Sequence, residues 1–166
     1  MSARLSRRLL GWLPGGVVVL TVFSAALVPA DDSAPAAGTK VVHTGVQFDA
    51  FSRHLQNAIR ANRMGIVAMA SASAGAAARG VKIPGNQVIM VFRNDFAVRM
   101  LEASVAAGIE APLRFYLTEN PDGAATLTYR TPSSVFAPYR SPALDKMARE
   151  LDVIFAKIVA DAQAKR

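Results

Sequence analysis

Two arginines stand where chemistry could use them. LRFYLTE (113–119) and ATLTYR (125–130) both alternate apolar and polar residues, with Asn120, Pro121, Asp122 and Gly123 between them. Proline followed by Asp-Gly is a strong hairpin signal. Pairing Leu117 with Leu127 turns Leu113, Phe115, Leu117, Leu127 and Tyr129 to one face, the side that helices cover. Arg114, Tyr116, Thr118, Thr126, Thr128 and Arg130 turn to the other, and Arg114 falls opposite or nearly opposite Arg130. Like charges directly opposed destabilise a sheet unless water, an anion or a partner's carboxylate separates them. A planar guanidinium suits a carboxylate or a phosphate. Arg114, Tyr116 and Arg130 are therefore the candidate ligand-binding residues for an anionic group, and Asn94 is counted with them. The blander reading is two solvated arginines on an open sheet.

Other chemistry finds less support. The chain has no cysteine, which excludes disulfides, thiolate metal sites, a cysteine nucleophile and covalently attached c-type haem. His43 and His54 are the only histidines, and neither has a His, Asp or Glu three or four residues away to complete a helical metal pair. His54 reads as a boundary residue of a helix. His43 could ligate a haem or a metal with help from a methionine, but nothing else in the sequence argues for it, and no metal site is assigned. There is no GxSxG, phosphate loop or dinucleotide fingerprint, and the carboxylates are scattered, so no catalytic residue is assigned. A basic surface interleaved with aromatics, as nucleic-acid binding needs, is absent, and no nucleic-acid partner is expected.

The elements that must position the arginines follow from periodicity. DDSAPAAGTK (31–40) reads as a flexible leader and VVHT as a short first strand. Phe48, Phe51, Leu55, Ala58 and Ile59 recur at helical spacing, giving a helix over about 48–62 with Arg53, Arg60 and Arg63 on its outer side. GIVAMASA (65–72) reads as a strand and SAGAAARG (73–80) as a short helix closed by Gly80. QVIMVF (87–92) is apolar at both parities, as in a strand covered on both faces. The crossing segment 131–141 or a second subunit would supply the second cover. Asn94 or Asp95 can cap a helix over about 95–107 that Gly108 closes. An irregular crossing then leads to a long helix over about 142–163, whose outside offers the pairs Asp145–Arg149, Lys146–Glu150, Lys157–Asp161 and Asp161–Lys165. The fold class is α+β: an antiparallel sheet of about five strands, helices mainly on one face, and a long C-terminal helix. Residues 41–166 form a single domain.

The first thirty residues read differently. Arg4, Arg7 and Arg8 precede an apolar stretch that ends at Val28-Pro29-Ala30. This is the pattern of a secretory signal cleaved after Ala30, with an uncleaved membrane anchor as the alternative. Ser6 to Gly11, SRRLLG, also resembles a twin-arginine signal. Removing residues 1–30 takes the formal charge from +7 to +4. What remains is uneven: between Lys40 and Met100 eight basic residues face only Asp49 and Asp95. A basic half can attract anions or an acidic partner. The expected location is periplasmic or secreted, with membrane contact only through the signal segment if it stays uncleaved.

The strand ending in Asn94, the helix leading into AAGIEAPLRFYL, the Asp122–Gly123 turn, and Tyr129 followed by Pro132 resemble the bacterial domain of unknown function 302 family over about residues 46–139. The resemblance implies a small α+β domain with an antiparallel sheet, often self-associating, and it brings no agreed activity. This chain has Arg93-Asn94-Asp95 where the family usually has Gly-Asn-Pro. The leading functional expectation is an exported, non-enzymatic small-ligand-binding or interaction module that is dimeric. One alternative is an enzyme acting on a small anionic substrate at the Arg114/Arg130 face, although no general base is evident. The other is a periplasmic haem- or metal-binding protein.

Overall fold

Alternation and helical spacing resolve into five strands and five helices in the computed structural model, which describes residues 35–164. The signal expected over 1–30 and the start of the leader lie outside the described residues. Among the described residues no helix is long and apolar enough to cross a membrane. In chain order the elements are β1 (Thr39–Gln47), α1 (Phe48–Ala61), β2 (Gly65–Ala70), α2 (Ala72–Ala77) and β3 (Asn86–Phe92). There follow α3 (Asn94–Ala103), a 3-10 turn (Val105–Glu110), β4 (Leu113–Glu119), β5 (Ala124–Arg130), α4 (Pro132–Phe136) and α5 (Pro142–Ala164). The strands form one sheet in the order β1-β5-β4-β3-β2, every neighbouring pair antiparallel. The fold is α+β with a long C-terminal helix, as the periodicity implied.

The hairpin is the part the sequence specified most tightly. Leu117 pairs with Leu127, and Gly123 takes the positive φ of 80° that the turn requires. Its backbone N–H donates to the Asn120 carbonyl, and Asp122 Oδ1 accepts from the Ala124 N–H. The inward face then builds the core. Phe115, Leu117, Leu127, Ile89 and Val91 are buried against Phe51, Leu55 and Ile59 of α1 and Leu151, Phe155 and Ile158 of α5. Phe115 stacks on Phe155 with ring centroids 4.6 Å apart, and Tyr129 closes the trio at 5.5 Å from Phe115. Burial pushes the Tyr129 phenol pKa up, and the charge on Asp152 adds to the rise.

Five expectations change. The first strand is longer than VVHT: it starts at Thr39 inside the expected leader, because Thr39 and Lys40 already pair with Arg130 and Tyr129 of β5. Neither Asn94 nor Asp95 caps α3. Arg93 is the capping residue and makes no side-chain bond to the helix N–H groups, and Asp95 takes a two-point ion pair from Arg93 at 2.7 and 3.0 Å. That helix ends at Ala103, so Gly108 lies within the 3-10 turn rather than closing α3. On α5 the Lys157–Asp161 pair forms, whereas Glu150 turns away from Lys146 to hold Arg99 of α3 in a bidentate pair.

The fifth concerns the second face of the sheet. The crossing segment does not cover it. Proline at the start of α4 and a run compatible with one helical turn place Pro132, Val135 and Phe136 in the helix-side core. Asp152 of α5 fixes that turn by accepting the Ser133 N–H at 2.9 Å. The outward residues of β3, Val88, Met90 and Phe92, are only partly buried.

Candidate functional site

The outward face of the sheet is a grid set by strand register. One row across the strands is Thr39, Arg130, Arg114, Met90 and Ala68, the Arg130–Arg114 step being the next position after Phe115–Tyr129 in the β4–β5 register. The next row is Val41, Thr128, Tyr116, Val88 and Ala70, and the third is His43, Thr126, Thr118 and Asn86. Neighbours within a row lie about one strand spacing apart, roughly 4.8 Å. The two guanidinium-bearing residues therefore stand side by side, as the hairpin pattern implied.

A cleft of about 360 Å³ opens at that end of the face, bounded by the 3-10 turn and α4. Arg114, Tyr116, Arg130, Thr39, Thr128 and Glu110 line it. Arg114 is exposed and makes no hydrogen bond or ion pair among the described residues. Arg130 donates from Nη2 to the Ser134 carbonyl at 3.2 Å, its other donors having no partner among the described residues. The phenol of Tyr116 accepts from Asn86 Nδ2 at 2.5 Å. Glu110 brings the one carboxylate of the lining, and its Oε1 accepts the Tyr139 hydroxyl at 3.0 Å. Burial, followed by that hydrogen bond, raises the Tyr139 pKa.

Three of the four candidate residues thus share one cleft. Asn94 does not: it is the exposed first residue of α3, beyond the end of β3. The asparagine that reaches the site is Asn86, and it reads in the sequence as loop. Glu110 and Thr39 are equally absent from the sequence pattern, because each reaches the cleft through tertiary packing. Asn86 had one legible signal: it continues the alternation of β3 by one step toward the row of Thr118.

Elsewhere, a second cleft of about 500 Å³ lies at the opposite end of the sheet, among Phe48, Ser52, Ser73, Gln87 and Glu119. Ser52 there donates to Gln87 Oε1 at 2.6 Å, and Glu119 Oε2 accepts the Gly85 N–H at 2.6 Å. His54 sits half-buried on α1, its Nδ1 without a hydrogen-bond partner among the described residues. Arg93, standing where the resembled pattern has glycine, lies over the Phe96 ring with its guanidinium 4.2 Å from the centroid.

The comparisons place the chain by fold and family. A crystal structure of an uncharacterized conserved DUF302 protein from Bacillus stearothermophilus is similar to it, with a TM-score of 0.68 and 15% sequence identity over 76% of this chain and 99% of that one. At that identity the likeness shows the fold alone. No curated protein matches the chain. The family model described as "Domain of unknown function DUF302" matches residues 39–162, a longer span than the 46–139 carried by the motifs. The chain belongs to the DUF302 family.

Proposed function

We propose that this chain is an exported, non-enzymatic binding protein that takes a small anionic group between Arg114 and Arg130. The observation that carries the reading is a guanidinium, unpaired among the described residues, beside a second one in a cleft of about 360 Å³. Two adjacent cations raise the energy of the empty site, and a carboxylate or phosphate relieves it with charge-assisted, geometrically matched hydrogen bonds. Thr128 supplies a hydroxyl for a remaining oxygen, the Tyr116 ring lines the cleft, and Glu110 at the rim disfavours ligands with excess negative charge on that side. Export rests on the basic and apolar pattern of residues 1–30.

Calorimetric titration with inorganic phosphate and with succinate tests the site. Arg114→Ala is expected to weaken binding about tenfold or more, since a hydrogen bond to a charged group contributes roughly 1.5–3 kcal/mol. Its unfolding midpoint should stay near that of the parent, because the side chain is exposed. Unchanged affinity in the variant sinks the proposal. Native mass spectrometry of protein from the envelope fraction reads the N-terminus and any retained ligand together.

A second reading, self-association through the outward sheet face, is favoured by one observation. Val41 and Tyr116 remain exposed there, and Val88, Met90 and Phe92 are only partly covered.

A further inference from the structure

Glu110 is the odd charge of the arginine cleft. It ends the 3-10 turn, half-buried, and its Oε1 accepts the Tyr139 hydroxyl at 3.0 Å. Burial and that hydrogen bond raise the Tyr139 pKa, so the phenol stays protonated and keeps donating to the carboxylate. The acid is thus held in place from a second element. A carboxylate that shares a cleft with arginines commonly pairs with one of them. Glu110 does not: among the described residues no ion pair joins it to Arg114 or Arg130. Opposite charges therefore line one cleft from separate elements, farther apart than the roughly 4 Å of an ion pair.

That arrangement restricts what the cleft would take. A plain anion satisfies the arginines but leaves Glu110 facing like charge. A plain amine satisfies Glu110 but leaves two guanidinium groups facing like charge. A molecule with an ammonium and a carboxylate on one carbon satisfies both sides at once. Leu113 and Val135, both members of the core cluster, and the ring-bearing Tyr116 and Tyr129 complete most of the remaining lining. Such walls favour an aliphatic side chain over a further charge. The volume of about 360 Å³ lies near the small end of ligand pockets, which run roughly 300–1,000 Å³.

The geometry points to a free aliphatic α-amino acid as the ligand, its carboxylate between Arg114 and Arg130, its ammonium toward Glu110 and its side chain against Leu113 and Val135. This rests on the reading of Arg114 and Arg130 as an anion site and names its ligand class. Tyr139 is the positioning residue for Glu110.

Calorimetric titration of the purified protein with alanine, valine and leucine, and with phosphate as the reference anion, is the test. Two analogues of valine, each lacking one charge, complete it: isovalerate has no ammonium and isobutylamine no carboxylate. The expected result is saturable valine binding at one per chain, with both analogues weaker by about tenfold or more, the worth of a hydrogen bond to a charged group. Glu110→Gln keeps an oxygen for the Tyr139 hydroxyl. It should melt as the parent does, bind valine no better than isovalerate, and bind phosphate more tightly than the parent. Tyr139→Phe should narrow the preference for valine over isovalerate. Isovalerate bound by the parent as tightly as valine overturns the proposal, and so does a Glu110→Gln protein that still discriminates between them. Phosphate bound with none of the three amino acids bound defeats this proposal and leaves the anion site standing. Loss of phosphate and amino acids alike defeats both.

Discussion

Gly38, just before β1, and Gly45, within it, both hold positive φ, at 77° and 64°, yet they do so for different reasons. A side chain at Gly45 would meet nothing within 4 Å, whereas a Cβ at Gly38 would overlap the side chain of Ser134 on α4. The Gly38 carbonyl also accepts the Thr131 N–H at 2.9 Å, so β1 and the crossing segment close on each other there. Gly45→Ala should cost about 1–2 kcal/mol, the penalty of left-handed backbone alone. Gly38→Ala should cost clearly more, because the overlap adds to the same backbone penalty. Urea unfolding of the two variants compares them directly, and equal losses would show that the close approach is not what fixes this position. The sequence pattern gave no sign of it. Gly38 sits in a small-residue stretch that reads as leader, and its neighbour is reached only through the fold. Arg114, by contrast, was legible, because a two-residue alternation and a turn of known geometry assign its face without tertiary information.

Elements whose own residues define them were legible within a residue or two. The stripe of Phe51, Leu55 and Ile59 marks α1, and the long stripe from Leu144 to Val159 marks α5. Elements defined by their neighbours were not. β1 owes its length to pairing with β5, and α4 is a single turn that its packing on α5 holds. The entry to α3 shows what replaces a side-chain cap. The guanidinium groups of Arg93 and Arg99 both lie over the Phe96 ring, 4.2 and 5.2 Å from its centroid. Asp95 and Glu150 hold those two arginines, and the arginine hydrogen bonds lower both carboxyl pKa values. A carboxyl pKa lowered by folding adds stability above its unfolded value and withdraws it as pH falls through the folded value. The contribution should therefore be whole above the ordinary values of 3.8 and 4.5 and fade below them. Glu150→Gln should be less stable than the parent at pH 7, and the gap should narrow in acid and in high salt, since both groups are exposed. Denaturation midpoints at pH 7 and pH 2.5 check this. A gap of the same size at both would remove the ion pair as its cause.

For the whole molecule, the outward sheet face, which no helix among the described residues covers, is the feature that bears on assembly. β3 is apolar at both parities, but α1 and α5 cover only one side, and the crossing segment joins them there instead of crossing over. A second copy meeting this face about a two-fold axis would cover Val88, Met90 and Tyr116 with the same residues of its partner. Such packing would bring two copies of Arg114 toward one another, and a bound anion would offset that repulsion. The two readings of this face are thus separable. Val88→Glu puts a charge into the middle row, between Tyr116 and Ala70, without touching the buried side. If the face is a dimer interface, light scattering should give twice the chain mass for the parent, more firmly so in phosphate, and the single mass for Val88→Glu. The variant's far-ultraviolet spectrum should match the parent's. A parent that stays monomeric at 100-fold the concentration used for binding, on the order of the range where weak interfaces form, removes self-association as the cover. Phosphate binding retained by a monomeric Val88→Glu would then assign the arginine cleft to a ligand of one chain, and its loss would assign the anion to the join between two.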